Sequence, residues 1–301
     1  MEKLKCIFSY FKQTLLDNTD LIGVVSFERR FLNRRDTPIW AESEKSVTKL
    51  KVNLFGTIET EGYGFTEVNF ANRYVGGGVL NSGCLQEEIR FLDCPELIVA
   101  RLFTEVILDD EALIVTGCAQ YNSHQGFDQT FKFFDEHRED VTQTDGWGRL
   151  HKQIIMIDAQ ESSTDSIQYQ YDRESIERDL NKAFCGFLDK TDYELCEKPA
   201  IATGKWGCGA FNGDPYLKSL IQMMTASEAE RNVVFFAFND KHLTKELKNI
   251  FGFIDENDIK IREIFNAMKN HKYPHKGSDE RINYLKFIKS KLEEKYILVE
   301  L

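Results

Sequence analysis

Residues 68–91, V-N-F-A-N-R-Y-V-G-G-G-V-L-N-S-G-C-L-Q-E-E-I-R-F, constrain this chain more than any other stretch. Val68, Phe70 and Tyr74 bracket Asn69, Asn72 and Arg73 in the alternation of a strand, which stops at Gly76, Gly77 and Gly78. Without Cβ atoms, that loop can take positive φ and approach a ligand closely. From Leu85 the pattern turns helical, with Gln86, Glu87 and Glu88 in the first turn, where the helix dipole favours carboxylates. Neighbouring helical residues project about 100° apart, so Glu87 and Glu88 are not expected to aim at one atom; one should catalyse and the other position. The competing reading is an acidic, solvent-facing turn after a glycine bend.

At 301 residues with 42% hydrophobic content, the chain can form one large α/β domain or a domain with an appendage. A net charge of −11 argues against general nucleic-acid binding, which needs many cations on phosphates. The seven cysteines, at 6, 84, 94, 118, 185, 196 and 208, form no C-x-x-C pair and no zinc-like cluster with histidine. They read as reduced thiols of an intracellular protein that needs no metal and no cofactor. Lysines interrupt the apolar residues of the first twelve positions, and no run is long enough to span a bilayer, so no membrane partner is expected.

Leu4, Ile7, Phe8, Phe11, Leu15 and Leu16 recur at helical spacing, and residues 1–49 read as a helical accessory segment ahead of a main domain over 50–301. Residues 51–60 read as the first strand of that domain, turning through E-T-E-G-Y-G into the strand that ends at Asn72, the two forming a hairpin or near neighbours. Helices are expected over 95–105 and 173–188, strands over 112–118 and 153–159, and a β-hairpin over 122–134. A short strand at 200–203 runs into G-K-W-G-C-G-A-F-N-G-D-P, where Asp214 is an N-cap and Pro215 the first helical position. Strand, glycine loop and helix start make an anion cradle, although neither the P-loop nor the dinucleotide spacing is met and a plain tight turn is the alternative. A final strand covers 232–238, followed by helices with turns at Gly252 and around Pro274 and Gly277. The alternation implies a three-layer α/β/α sandwich with a mixed sheet.

The triple glycine followed by Q-E-E, together with F-A-N-R-Y-V-G-G-G, Q-E-E-I-R-F-L, P-E-L-I-V-A-R-L-F-T-E-V, A-F-C-G-F-L and A-T-G-K-W-G-C-G-A-F-N-G-D, resembles the canonical eukaryotic poly(ADP-ribose) glycohydrolases. The resemblance covers most of residues 50–240 and implies a macrodomain fold that hydrolyses ribose-ribose bonds in poly(ADP-ribose), releasing ADP-ribose. It implies that Glu88 acts as general acid and then base, which requires a raised pKa from partial burial and nearby phosphate. Glu87 would bond the leaving-side ribose, Asn72 and Gln86 would contact substrate, and Gly76, Gly77 and Gly78 would line the site. Gly204, Lys205, Trp206, Gly207, Cys208, Gly209, Ala210 and Phe211 match the diphosphate loop. Ile58 and Glu59 match an adenine-binding pair on the first strand, Phe238 an aromatic beside the terminal ribose, and Phe127 a tyrosine that closes over the ligand.

For Asn72 a left-handed turn residue is the alternative, for Ile58 and Phe238 plain core, and for Cys208 a packed thiol rather than a nucleophile. Three departures from the family pattern stand out: Asn69 where vertebrate members have aspartate, Lys205 in place of an asparagine in the diphosphate loop, and a ring without hydroxyl at Phe127. The implied partners are poly(ADP-ribose), ADP-ribose and ADP-ribosylated proteins, for a monomer of the nucleus or cytoplasm acting in the DNA damage response. A non-catalytic ADP-ribose reader is the competing function, disfavoured by the intact pair of glutamates. A nucleotide-dependent oxidoreductase lacks its fingerprint.

Overall fold

The structure is a computed structural model, and it describes residues 1–16, 23–62, 64–138, 144–162, 167–189, 198–269 and 284–297. The elements in chain order are α1 (Glu2–Leu15), β1 (Ser26–Phe31), β2 (Leu50–Asn53), α2 (Ile58–Glu61), β3 (Thr66–Ala71), α3 (Gln86–Asp93), β4 (Glu111–Thr116), β5 (Asn122–Gln125), β6 (Lys132–Glu136) and β7 (Gln153–Asp158). They continue as α4 (Arg173–Phe187), β8 (Ile201–Thr203), α5 (Pro215–Glu228), β9 (Val233–Phe236), α6 (Lys241–Glu256), α7 (Ile261–Met268) and α8 (Tyr284–Ile297). The chain divides into two compact units, Met1–Arg30 with Tyr63–Asp158 and Phe31–Gly62 with Ala159–Leu301.

In unit 1 the strands run in the order β1, β4, β7, β3, with β7 parallel to β3 and antiparallel to β4. The sheet is therefore mixed, as expected. Only Phe70 of β3 is not fully buried, which fits a strand covered on both faces. Its buried Glu67 pairs with buried Arg90 of α3, and such a pair must be kept whole, because removing one partner leaves an uncompensated charge. The expected hairpin is present as β5 and β6, paired antiparallel.

Helix α1 forms as its spacing predicts, but the apolar residues of that spacing do not make its buried face. Cys6, Ser9 and Gln13 are its buried residues, while Leu4, Phe8, Phe11 and Leu15 stand exposed. Polar bonds hold it down: Gln13 Nε2 donates to Tyr121 O at 2.8 Å, and Glu2 Oε2 accepts from Phe133 N at 3.1 Å. The polar stretch after α1 also contains β1, whose alternation is masked by Glu28, Arg29 and Arg30. Segment 1–49 thus carries a strand as well as α1, and its described residues are shared between the units.

Unit 2 has β8, β9 and β2 side by side, β9 parallel to both neighbours. The expected hairpin of the strand at 51–60 with the strand ending near Asn72 does not form; β2 pairs with β9 and β3 with β7. The first strand also stops at Asn53, because Thr57 caps α2 by accepting from Thr60 N at 3.2 Å. Ile58 and Glu59 therefore open a helix rather than lie on a strand. Gly252 lies inside α6 instead of in a turn, on a side where an added Cβ would meet nothing. Pro274 and Gly277 lie outside the described residues. Asp214 caps α5 as its sequence predicts, accepting from Tyr216 N at 2.7 Å and Leu217 N at 3.2 Å. Among the described residues no helix is long and apolar enough to cross a membrane.

Candidate active site

In unit 1 the candidate residues gather where β3 ends and α3 begins. Glu87 and Glu88 are 4% and 9% exposed, which rules out a solvent-facing acidic turn. Glu87 Oε2 accepts from Asn72 N at 2.9 Å and its Oε1 from Gly76 N at 2.7 Å. Glu88 Oε1 accepts from Gly78 N at 3.0 Å and its Oε2 from Leu85 N at 2.9 Å, a cap on its own helix. The carboxylates diverge at Cα yet meet at the loop: a Cβ on Gly77 would lie 2.5 Å from Glu88 Oε1 and 2.8 Å from Glu87 Oε2. Each carboxylate still takes its own pair of backbone donors, so the two aim at different atoms as their projection predicts, while three side-chain torsions swing both back onto the glycines. Gly76 and Gly77, with φ of 84° and 44°, occupy the region closed to most side chains.

Burial pushes the Glu87 carboxyl up to about 8, against the pull of its two N–H donors. Outside this ring, Arg101 Nη1 donates to Gly77 O at 2.6 Å, so the loop turns N–H groups toward carboxylates and a carbonyl toward a cation.

Asn72 is no left-handed turn residue; its Oδ1 accepts from Tyr74 N at 2.9 Å, an Asx turn that shapes the entry to the glycines. Gln86 is engaged with β3, its Oε1 accepting from Phe70 N at 2.8 Å and its Nε2 donating to Val68 O at 3.4 Å. Asn69 is 1% exposed with neither amide atom partnered among the described residues. Phe127 does not stand alone at a polar tip: it packs against the buried unit 1 core, its ring edge-on to His124 with centroids 5.6 Å apart. Asp128 N next to it donates to Cys84 O at 2.8 Å, tying the hairpin to the approach to α3.

In unit 2 the three parallel strands deliver their carboxyl ends to the remaining residues, the usual place for ligands in parallel sheets. Ile58 and Glu59 follow β2, residues 204–211 follow β8, and Phe238 follows β9. Ile58 is 4% exposed and serves as core. Phe238 is not core: the strand ends at Phe236, and Phe238 is 46% exposed with φ of 56°, a strained setting for a bulky side chain.

In the loop 204–211, the N–H groups of Gly207, Gly209, Ala210 and Phe211 find no acceptor among the described residues. Gly207 has φ of 72°. The Trp206 ring is fully buried under the Lys218 ammonium, 5.2 Å from its centroid, and Lys218 in turn pairs with Asp179. Only the backbone of Trp206 can therefore face a ligand. This buried Asp179–Lys218 pair escaped the sequence reading, although Asp179 falls beside Ile176 and Leu180 on the buried side of α4. Burial pushes the Cys208 thiol up to about 12, which suits a packed thiol and not a nucleophile. None of the six cysteines among the described residues is in a disulfide, and Cys196 lies outside them. No group of three or more His, Cys, Asp or Glu among the described residues could hold a metal.

The candidate residues thus fall in two places, a paired carboxyl site on a glycine loop in unit 1 and a glycine loop with open N–H groups in unit 2, both at strand ends. The family described as "Poly (ADP-ribose) glycohydrolase (PARG), Macro domain fold" matches residues 37–245, and the chain belongs to it. It is 36% identical over 288 residues to poly(ADP-ribose) glycohydrolase 1 of Caenorhabditis elegans, covering 92% of this chain and 36% of that protein. It is 30% identical over 330 residues to poly(ADP-ribose) glycohydrolase 1 of Arabidopsis thaliana, covering 88% of this chain and 59% of that one. The chain thus spans between about a third and three-fifths of these relatives' length. The Deinococcus radiodurans poly(ADP-ribose) glycohydrolase solved with ADP-ribose is 16% identical, with a TM-score of 0.39 over 75% of this chain and 95% of that one.

Proposed function

We propose that this chain hydrolyses the ribose-ribose O-glycosidic bonds of poly(ADP-ribose) and releases ADP-ribose. The observation that carries the reading is the fixed Glu88 carboxyl, buried at the start of α3 and held by Gly78 N and Leu85 N against glycine backbone. Protonated, it gives its proton to the bridging oxygen as the glycosidic bond breaks and the electron pair leaves with that oxygen. The oxocarbenium-like ribose then takes water, whose proton returns to the Glu88 carboxylate, restoring the acid. Glu87 orders Asn72 and Gly76, and its acidic proton, held by burial, lets it donate to a ribose hydroxyl. The open N–H groups of 207–211 bind the diphosphate as a backbone cradle, which suits a chain whose net charge of −11 offers no broad basic field.

The test is incubation with labelled polymer followed by chromatography of the products. The expected product is ADP-ribose. Polymer that is bound but stays intact would make the protein a reader, and polymer neither bound nor cut would refute both.

A further inference from the structure

The carbonyl side of the catalytic loop holds a feature that the proposed reaction does not use. Lys3, near the start of α1, sends its ammonium among four backbone carbonyls of residues 78–83. It donates to Asn81 O at 2.8 Å, Val79 O at 3.0 Å and Gly78 O at 3.3 Å, and also to Gly83 O. An ammonium has only three hydrogens. Four converging carbonyls are therefore gathered by charge as well as by hydrogen bonding, the way oxygen dipoles surround a small monovalent cation.

The same residues face Glu88 on their other side. Gly78 accepts from Lys3 through its oxygen and donates to Glu88 Oε1 through its nitrogen. Gly78 O also accepts from Asn81 N at 2.8 Å and Gly83 N at 3.1 Å, closing the turn. Gly83 packs so closely on Glu88 that a Cβ there would lie 2.6 Å from Oε1. With the cation removed, four carbonyl dipoles would point at one another across a gap, and the turn would relieve their repulsion by opening. Gly78 N and Gly83 would then leave the catalytic carboxyl.

We propose that residues 78–83 form a monovalent-cation site permanently filled by the Lys3 ammonium, and that Lys3 is thereby a positioning residue for Glu88. The second half of this rests on the glycohydrolase reading. Lys3→Met keeps most of the aliphatic stem and loses the charge, and Lys3→Ala empties the cage. In the full chain, both should lower kcat on poly(ADP-ribose) by about tenfold to a hundredfold, the scale of misplacing a catalytic group by about 1 Å, with KM nearly unchanged.

The sharper readout is rescue. Ammonium or potassium chloride should restore part of the kcat of Lys3→Ala, whereas tetramethylammonium chloride at equal ionic strength, too large for the cage, should not. A kcat that does not fall, a loss confined to KM, or equal recovery in all three salts would overturn the proposal. Should the wild-type chain cut no polymer, the functional reading fails by itself, and the cage is judged by melting. Selective stabilisation of Lys3→Ala by ammonium or potassium over tetramethylammonium then supports the cation site, and its absence overturns it.

Discussion

The two glycine loops are made of similar material and do opposite things. At 76–78 the backbone N–H groups of Gly76 and Gly78 are already taken by carboxylates of the chain itself, Glu87 and Glu88. At 207–211 four N–H groups end on nothing among the described residues. The first loop has its carboxyls built in and holds acids; the second leaves its N–H groups open, as the proposed diphosphate cradle requires. Gly209 and Ala210 are exposed and Gly207 and Phe211 half-buried, so these N–H groups are within reach of solvent, and one that meets a phosphate contributes a charge-assisted bond. Glycine thus marks both loops without distinguishing them. The distinction lies in the residues on their C-terminal side: Q-E-E after the first loop, an Asp-Pro helix start after the second.

The largest effect that separates the loops is expected from Glu88→Gln. The amide keeps the shape and cannot move the proton, so polymer turnover should fall by about 10⁴ or more, the upper end for a general acid-base group that serves two steps. ADP-ribose affinity should survive, since the second loop is untouched. Turnover above about a tenth of wild type would remove Glu88 from its role.

In the second loop the informative substitution is Gly209→Val. An added Cβ at Gly209 meets nothing within 4 Å, whereas one at Gly207 would collide with the Ala159 Cβ at a positive φ. Gly207→Val therefore mixes binding with folding. Gly209→Val should leave the melting temperature unchanged and weaken ADP-ribose binding by about tenfold or more, because a β-branched side chain stands where the anion approaches. Unchanged affinity by calorimetry would make the loop an ordinary turn and end the comparison.

How much of the molecule is legible in its sequence depends on whether the signal is local. The switch from strand alternation to glycines to helix placed β3, the loop and α3, and Asp214–Pro215 placed the start of α5, because caps and periodicity are short-range physics. Strand partners were not legible: β2 joins β9 across about 180 residues, and nothing local selects a parallel neighbour at that distance. Ile58 was placed on a strand because the apolar run outweighed the Thr57 cap. Phe238 was drawn into the strand of Asn232 by its apolar neighbours, while its positive φ is set by the turn into α6. Lys3 carries no signal at all; its meaning comes from carbonyls some 80 residues away.

A smaller effect tests the built-in Glu87 carboxyl through pH. The Glu87 carboxyl is raised from 4.5 to about 8, so the folded protein takes up a proton that the unfolded chain releases above 4.5. Stability from this group is then full below 4.5 and is lost as pH rises toward 8. Glu87→Gln removes that titration, although one amide N–H must face a backbone donor and the variant starts from a lower melting temperature. The gap between wild type and variant should therefore narrow between pH 5 and 8. A gap independent of pH over that window would mean that Glu87 is ionised throughout, as its two N–H donors would favour on their own.

The smallest effect concerns whether the open loop relies on its backbone alone. Lys205 Nζ lies 3.5 Å from Asp240 Oδ2, with both side chains about a third exposed. Asp240 also accepts from Leu243 N at 2.9 Å as the cap of α6, so its charge is shared. A partly solvated ammonium on the same loop should attract a diphosphate at a distance rather than grip it, and such exposed pairs are worth about 0–1 kcal/mol. Lys205→Asn should accordingly weaken ADP-ribose binding by no more than about fivefold at low salt, and the difference should close near about 0.5 M salt, where screening shortens to a few ångströms. The short-range contribution of the glycine loop should persist in the same titration. A loss beyond about tenfold that ignores salt would show Lys205 bonding the diphosphate directly, and the cradle would then be part side chain.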